Sequence, residues 1–323
     1  MSTNNRSVHK LMIILLAVGI MLTLVFFAVR LYLTQVTANT EVTIIEVSSG
    51  QSVKSLARQL KEKKILTNDT PFRVWLLIKG LDKKIQVGEY AIQPHMPLRS
   101  LIWNFVHGRV YQHSFKIIPG DAWQQINARI KSSGLKGLNQ SEIRKLQGRA
   151  VNLEGLFAPD TYFYVKGEAA YNILKIAKEK QKRVLYELWH SRHSGLVYKS
   201  PTDILVVASL IEKETALNDE RPMISRVIHN RLRAGMRLQI DASFLYAQKS
   251  EGMKLQLKQA LLLKSPYNTY KYYGLPPGPI AAVSRASLQA AAKPVEGNWL
   301  YYRSLDKRSH VFSHQYAQHV RLR

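Results

Sequence analysis

TDILVVASLIEKET, residues Thr202 to Thr215, decides how this chain is read. Ile204, Leu205, Val206, Val207, Ala208, Leu210 and Ile211 put apolar side chains on nearly every side of a helix expected to run toward Leu217, and a helix without a polar face is buried. Such a helix needs other elements packed around it, so the domain that holds it is built about a sizeable core. Two carboxylates, Glu212 and Glu214, stand at its end. Burying a carboxylate costs free energy, and the group responds by raising its pKa above the usual value of about 4.3. That is what a general acid working near neutral pH requires. On the helical wheel Glu214 follows Val207 and Leu210, whereas Glu212 follows Leu205 and Ala208, so periodicity does not choose between them. A structural ion pair with Lys213, or with a basic residue of the next helix, would also satisfy either one.

Beyond this stretch, Asn218-Asp219-Glu220 offers a cap and Pro222 falls in a first turn, which predicts a helix through Ile224, Val227, Ile228 and Leu232 ending at Gly235. Its exposed face would carry Arg226, His229 and Arg233. Upstream, Ala169 to His193 reads as a strongly basic amphipathic helix, and Glu154 to Tyr164 as a turn-rich aromatic loop. Downstream, Gly274 to Ile280 is a rigid proline-rich loop, with late strand patterns at Trp299 to Tyr302 and around His310. Nearer the amino terminus, strands are expected at Glu41 to Val47 and Gln86 to Ile92. Helices are expected from Val53 and over Pro97 to His107, with Leu98, Leu101, Ile102 and Phe105 inward. Glu46 to Val53, with Leu56 and Leu60, matches Lys116 to Trp123, with Ile126 and Ile130, position for position. Both copies read strand, glycine turn, amphipathic helix, which suggests a duplicated small α/β unit.

From Leu11 to Val29 the chain is apolar but for Thr23, long enough to span a bilayer as a helix. A cleaved signal peptide would have a shorter apolar region and a small-residue cleavage site, where this chain has Phe26, Phe27, Arg30, Leu31 and Tyr32. An uncleaved single-pass anchor is expected, amino terminus in the cytoplasm and the body outside the membrane; in a bacterium, that is the periplasm or wall space. The chain has 323 residues, 47 Lys and Arg against 22 Asp and Glu for a net charge of +25, and no Cys. Length points to two domains, or one large one with an accessory piece, and the missing cysteines exclude thiol catalysis, zinc–thiolate modules and a disulfide scaffold. The charge alone would allow a nucleic-acid binder, but an extracytoplasmic body turns it toward anionic lipid and wall polymers. There is no H-E-x-x-H, nucleophile elbow, Walker loop or G-x-G-x-x-G fingerprint, so neither a metal nor a cofactor is expected. Carboxylate chemistry remains, beside amide and aromatic residues suited to sugar rings: Asn230, Gln239, Asp241, Tyr246, Tyr267, Asn268, Tyr270 and Tyr273.

Longer runs resemble a known family. Ala208 to Thr215, Glu220-Arg221, Val227 to Asp241, Glu154 to Tyr162, Ser265 to Tyr270 and Gly274 to Ile280 are similar to the MltG-type (YceG-like) endolytic murein transglycosylases. The resemblance implies an α+β chain with one transmembrane helix, a LysM-like small α/β subdomain and a mixed α/β catalytic domain. The corresponding spans are a tail at 1–10, an anchor at 11–33, the LysM-like part at 41–110 and a catalytic domain at 111–323, with core motifs at 150–285. It makes the Glu before Thr, Glu214, the catalytic residue of a lytic transglycosylase, a carbon–oxygen lyase acting on polysaccharide. Glu154, Asp160, Thr215, Asn230, Gln239, Asp241, Tyr267, Asn268 and Tyr270 become candidate substrate-binding residues. Expected partners are peptidoglycan glycan strands, cytoplasmic-membrane lipid and penicillin-binding synthases, with no nucleic acid. The implied place is the bacterial inner membrane with a periplasmic catalytic domain, and the implied role is cutting nascent strands to end their growth. Ala242 stands where the family has Pro, and Ala282-Val283-Ser284 where it has Asn-Pro-Gly. The competing class is a non-catalytic peptidoglycan-binding or division-scaffold protein in which Glu214 only pairs.

Overall fold

A computed structural model of the full chain describes residues 3–250, 252–253, 259, 261–304 and 309–321. These divide into two compact units, Met1–His113 and Ser114–Arg323.

The first unit begins with α1 (Thr3–Thr34). Within it Leu11–Thr34 has a mean hydropathy of 3.0 and no buried residues, so it is long and apolar enough to cross a membrane. The chain leaves α1 without slack. Val36 bridges Pro97, and Thr37 is buried, donating its amide to Met96 O at 2.8 Å. Then follow β1 (Thr43–Val47), α2 (Val53–Glu62), α3 (Thr70–Ile78), β2 (Gly88–Ile92) and α4 (Leu98–Val106). β1 and β2 pair antiparallel, with Thr43 opposite Ile92 and Val47 opposite Gly88. Alternation in β1 buries Ile45 and Val47 against Leu56 and Leu60 of α2, Phe72 and Leu76 of α3, and Leu101 and Phe105 of α4. All four inward positions expected of α4 are buried. The sequence reading passed over α3. Its signals are Pro71 in the first turn and inward Phe72 and Leu76 at helical spacing.

The second unit opens with β3 (His113–Ile117), α5 (Trp123–Ser132), α6 (Gln140–Gln147), β4 (Asp160–Tyr164) and α7 (Ala170–His190). β3 pairs with β4. The stretch expected to be a loop up to Tyr164 therefore ends in a strand, because Tyr162 and Tyr164 turn inward while Phe163 is exposed. The internal repeat is visible in the backbone. Both copies run strand, helix, helix, strand and then a further helix. Gly50 and Gly120, with φ of 73° and 84°, make the turn that follows the buried Val47 and Ile117.

The rest of the unit packs around α8 (Pro201–Glu214), in which every residue from Ile204 to Ile211 is buried. Against it lie α9 (Arg221–Arg233), α10 (Asp241–Ser250) and α11 (Arg285–Ala292). An antiparallel hairpin of β5 (Tyr301–Ser304) and β6 (His310–Ser313) follows, with Tyr302 opposite Phe312, and then α12 (Tyr316–Arg321). Two expectations for α9 need correction. His229 is 1% exposed rather than surface-facing, because Tyr198 stacks edge-on against it and Arg233 approaches its ring at 3.0 Å. The cap position is Glu220, whose carboxylate makes no capping bond to the helix and serves other partners.

Candidate active site

The end of α8 sets the two carboxylates apart. Glu212 is fully engaged: Arg221 Nη2 lies 3.3 Å from Oε1, and the Ser284 amide and hydroxyl donate to Oε2 at 2.9 and 2.5 Å. It is the structural ion pair with the next helix. Ser284, in the segment that departs from the family pattern, also caps α11 by accepting from the Ser287 amide.

Glu214 sits on the other side, with Tyr302 donating its hydroxyl to Oε2 at 3.0 Å. Burial raises its pKa and the negative Asp241 adds to the rise, while hydrogen bonds from Tyr302 and the Ala242 backbone oppose it. Tyr302 is itself held protonated, far above its usual range, by burial and by the neighbouring carboxylate. It is therefore a donor at any working pH.

Thr215 ends the helix in extended conformation and is buried. Its hydroxyl donates to Glu220 Oε2 at 2.9 Å and accepts the Leu217 amide at 3.0 Å. Glu220 also receives the His310 amide at 2.7 Å and faces His310 Nδ1 at 2.7 Å. One carboxylate thus ties the residue after Glu214 to the hairpin that carries Tyr302. Burial pushes the Glu220 pKa up, but the bonds from His310 and Thr215 together outweigh it and hold the group below its usual value.

Glu214 and Asp241 line two adjoining cavities, of about 490 Å³ and about 390 Å³. The larger is polar and includes Gln239, Tyr270, Arg231 and His310. The smaller is walled by Gln125, Lys213, Tyr246 and Lys249. A third cavity of about 350 Å³ shares Ala122, Tyr246 and Lys249 with the second and reaches Glu154. Together they make an extended cleft with Glu214 at an internal position. Glu154 is a second carboxylate with an unusual proton affinity. Burial raises it to about 7 against hydrogen bonds from the Trp123 amide, at 2.8 Å, and from Tyr246.

Of the candidates from sequence, Gln239, Asp241 and Tyr270 gather with Glu214, and Tyr270 donates to Asp241 Oδ1 at 2.5 Å. Gln239 holds a left-handed φ of 50°, fixed where its amide reaches Thr269 O. Glu154 lines the third cavity, and Asp160, Thr215, Asn230, Tyr267 and Asn268 line none of the three. Asn230 donates to Gly297 O and Trp299 O, binding α9 to the irregular segment ahead of β5. Asn268 is fully buried and donates to Leu261 O and Leu263 O. Tyr267 receives Asn152 Nδ2 at 2.8 Å, and Asp160 pairs with Lys180 on the surface. Sequence reasoning missed Tyr302, Arg231 and the wall formed by Tyr316 and His319. The only signal for Tyr302 was its place in a late strand, since its partner Glu214 lies 88 residues away.

A protonatable carboxylate at a helix end, in a cleft of amide, aromatic and charged groups, is the arrangement of an acid–base site for a long polar ligand. The chain belongs to the YceG-like family, whose profile matches residues 45–323. It is 29% identical over 302 residues to the endolytic murein transglycosylase of Bacillus subtilis, covering 85% of this chain and 82% of that one. It is 30% identical over 165 residues to a protein of the same name in Streptococcus pneumoniae, of which it spans 29%. The 2.6 Å crystal structure of a YceG-like protein from Listeria monocytogenes superposes with a TM-score of 0.57 at 27% identity, covering 88% of this chain and all of that one.

Proposed function

We propose that this protein is a membrane-anchored endolytic lytic transglycosylase of peptidoglycan, with Glu214 as its acid and base. The observation that carries the reading is the Glu214 carboxyl itself, half-buried, raised in pKa and set where two cavities meet. An acid at an internal position of a cleft suits cutting within a polymer. The names of the relatives from Bacillus and Streptococcus supply the substrate class.

In the reaction, protonated Glu214 gives its proton to the glycosidic oxygen between MurNAc and GlcNAc. As that bond breaks, the N-acetyl carbonyl of MurNAc stabilises the positive charge at the anomeric carbon. The carboxylate left behind, stabilised by the Tyr302 hydroxyl, takes the proton of the MurNAc 6-hydroxyl, whose oxygen closes on the anomeric carbon. The product ends in 1,6-anhydroMurNAc, and no water is consumed. Gln239, Asp241 and Tyr270 position the sugar beside Glu214, and Glu154 contacts the strand further along. Thr215, Asn230, Tyr267 and Asn268 hold the walls in place, while Asp160 pairs with Lys180 on the surface.

The anchor at 11–33 places the small unit, 41–110, and the catalytic domain, 111–323, on the periplasmic side of the inner membrane. The small unit is LysM-like; a self-contained α/β core supports this. Nascent strands beside penicillin-binding synthases are the substrate, and cutting them ends their elongation.

The test is mass analysis of products from a defined uncrosslinked strand, with the native protein and with Glu214→Gln. Native protein should give anhydro ends and the variant none. Anhydro ends persisting in the variant would remove Glu214 from the role, and reducing ends with the native protein would make the reaction hydrolysis.

A further inference from the structure

α3 buries Phe72 and Leu76 and leaves Val74, Leu77 and Ile78 at 40%, 57% and 65% exposure. Positions i, i+3 and i+4 of a helix share one face, so these three form an apolar stripe turned to solvent. Exposed lysines adjoin it. Lys79 stands over the half-buried Trp75 ring at 5.0 Å, and Lys83 and Lys84 follow in the next turn.

The position of α3 within its own unit says what covers this stripe. Tyr32, in the last turn of α1, donates its hydroxyl at 2.9 Å to Asn68 O, two residues before α3 begins. The connector after α1 is fixed by the Val36–Pro97 bridge and by the Ala38 amide on Ile65 O. A span needs ~20 residues for ~30 Å of hydrocarbon, so the last turn of the 24-residue apolar segment falls at the headgroups. The Tyr32 side chain, its hydrogen bond and two residues reach the start of α3, and eight further residues at a rise of ~1.5 Å each add ~12 Å, so the stripe stays within ~30 Å of that level. An apolar stripe edged by lysines at this distance matches a helix lying in the interface of an anionic bilayer.

We propose that the Val74–Leu77–Ile78 face of α3 docks on the anionic lipid surface around the anchor, with Lys79, Lys83 and Lys84 against the headgroups. This rests on the membrane-anchored reading. It holds the first unit down on the bilayer instead of leaving it to swing from the span.

The chain lacks cysteine, so single labels can be placed without background. The full chain is put in nanodiscs of phosphatidylcholine with phosphatidylglycerol, spin-labelled in turn at Ile78→Cys, Leu22→Cys in the span and Ser49→Cys in the turn after β1. Accessibility to oxygen, which partitions into lipid, and to a water-soluble nickel chelate is then compared. The expected result is an oxygen-to-nickel ratio at position 78 roughly threefold or more above that at position 49, as for interfacial burial of ~5–10 Å. A ratio at 78 equal to that at 49 overturns the proposal, as does a label at 78 shielded from both agents, which would mean a protein cover. Equal ratios at 78 in neutral and anionic discs overturn the part given to the lysines. If position 22 is also lipid-inaccessible, the anchor reading has failed; if 22 is lipid-accessible and 78 is not, only the docking face has.

Discussion

Tyr302 is placed to tune Glu214. Its hydrogen bond favours the charged carboxylate and so lowers a pKa that burial has raised. An acid must hold its proton, so activity is lost as pH rises through the Glu214 pKa. Tyr302→Phe should move the alkaline limb of kcat/KM to higher pH, because the bond that stabilised the carboxylate is gone. It should also lower kcat by roughly 10–100-fold through poorer charge stabilisation in the second half-step. A limb that stays put, or moves down, would detach Tyr302 from Glu214 chemistry. Glu154 gives a stability prediction. Folded, it keeps its proton to about 7; unfolded, it releases it near 4.5. Between those values the folded state binds more protons, so stability falls as pH rises across the window. Glu154→Gln keeps an acceptor for the Trp123 amide and removes the charge. The variant should therefore be more stable than native at pH 8, by at most ~3 kcal/mol, and nearly equal at pH 5. Denaturant titrations at the two pH values check this. That carboxylates at the end of α8 were candidates for acid chemistry was legible in sequence. Their division of labour was not, because the Glu212 partners Arg221 and Ser284 and the Glu214 partner Tyr302 come from three other elements.

At the scale of elements, Glu220 is the tie between the turn after α8 and the β5–β6 hairpin. Glu220→Gln removes the charge that faces the His310 ring. Amide exchange in Tyr301–Ser304 should speed up. kcat should fall about tenfold or more with KM changed much less, since the variant displaces Tyr302 without touching bound sugar. Loss confined to KM would argue against a positioning role. A second element-level prediction concerns Gly155. It has φ 70°, and a Cβ there would lie 2.9 Å from Pro279 Cβ. Gly155→Ala should destabilise by ~1–3 kcal/mol, read as a lower midpoint in denaturant, because backbone strain and the close contact with a rigid ring coincide. Elements with a strong internal period, such as α4 and α7, or with no polar face at all, such as α8, could be read from the chain. β4 was read as loop because its two inward tyrosines follow a turn-rich stretch, and α9 was read as half exposed because local sequence does not reveal the packing of Tyr198 over His229.

At the scale of the molecule, the duplicated unit was the most informative long-range signal in the sequence. Identical spacing of a buried residue, a positive-φ glycine and two inward helix positions fixed the same backbone path twice. Spacing alone did not reveal that each copy closes on a later strand, since β1 finds β2 and β3 finds β4 across more than 40 residues. Nor did it reveal the cavities, which are made where separate segments meet.

The fixed connector after α1 has an electrical consequence. In the proposed arrangement the small unit stands at a set height and cannot drift beyond the ionic atmosphere of the bilayer, which decays over a Debye length of ~8 Å at physiological ionic strength. Residues 41–113 hold 11 Lys and Arg against 6 Asp and Glu, so this unit samples the surface potential continuously. Salt and lipid composition then act on it as they would on an electrode fixed at the surface, and a flexible tether would have averaged that influence away.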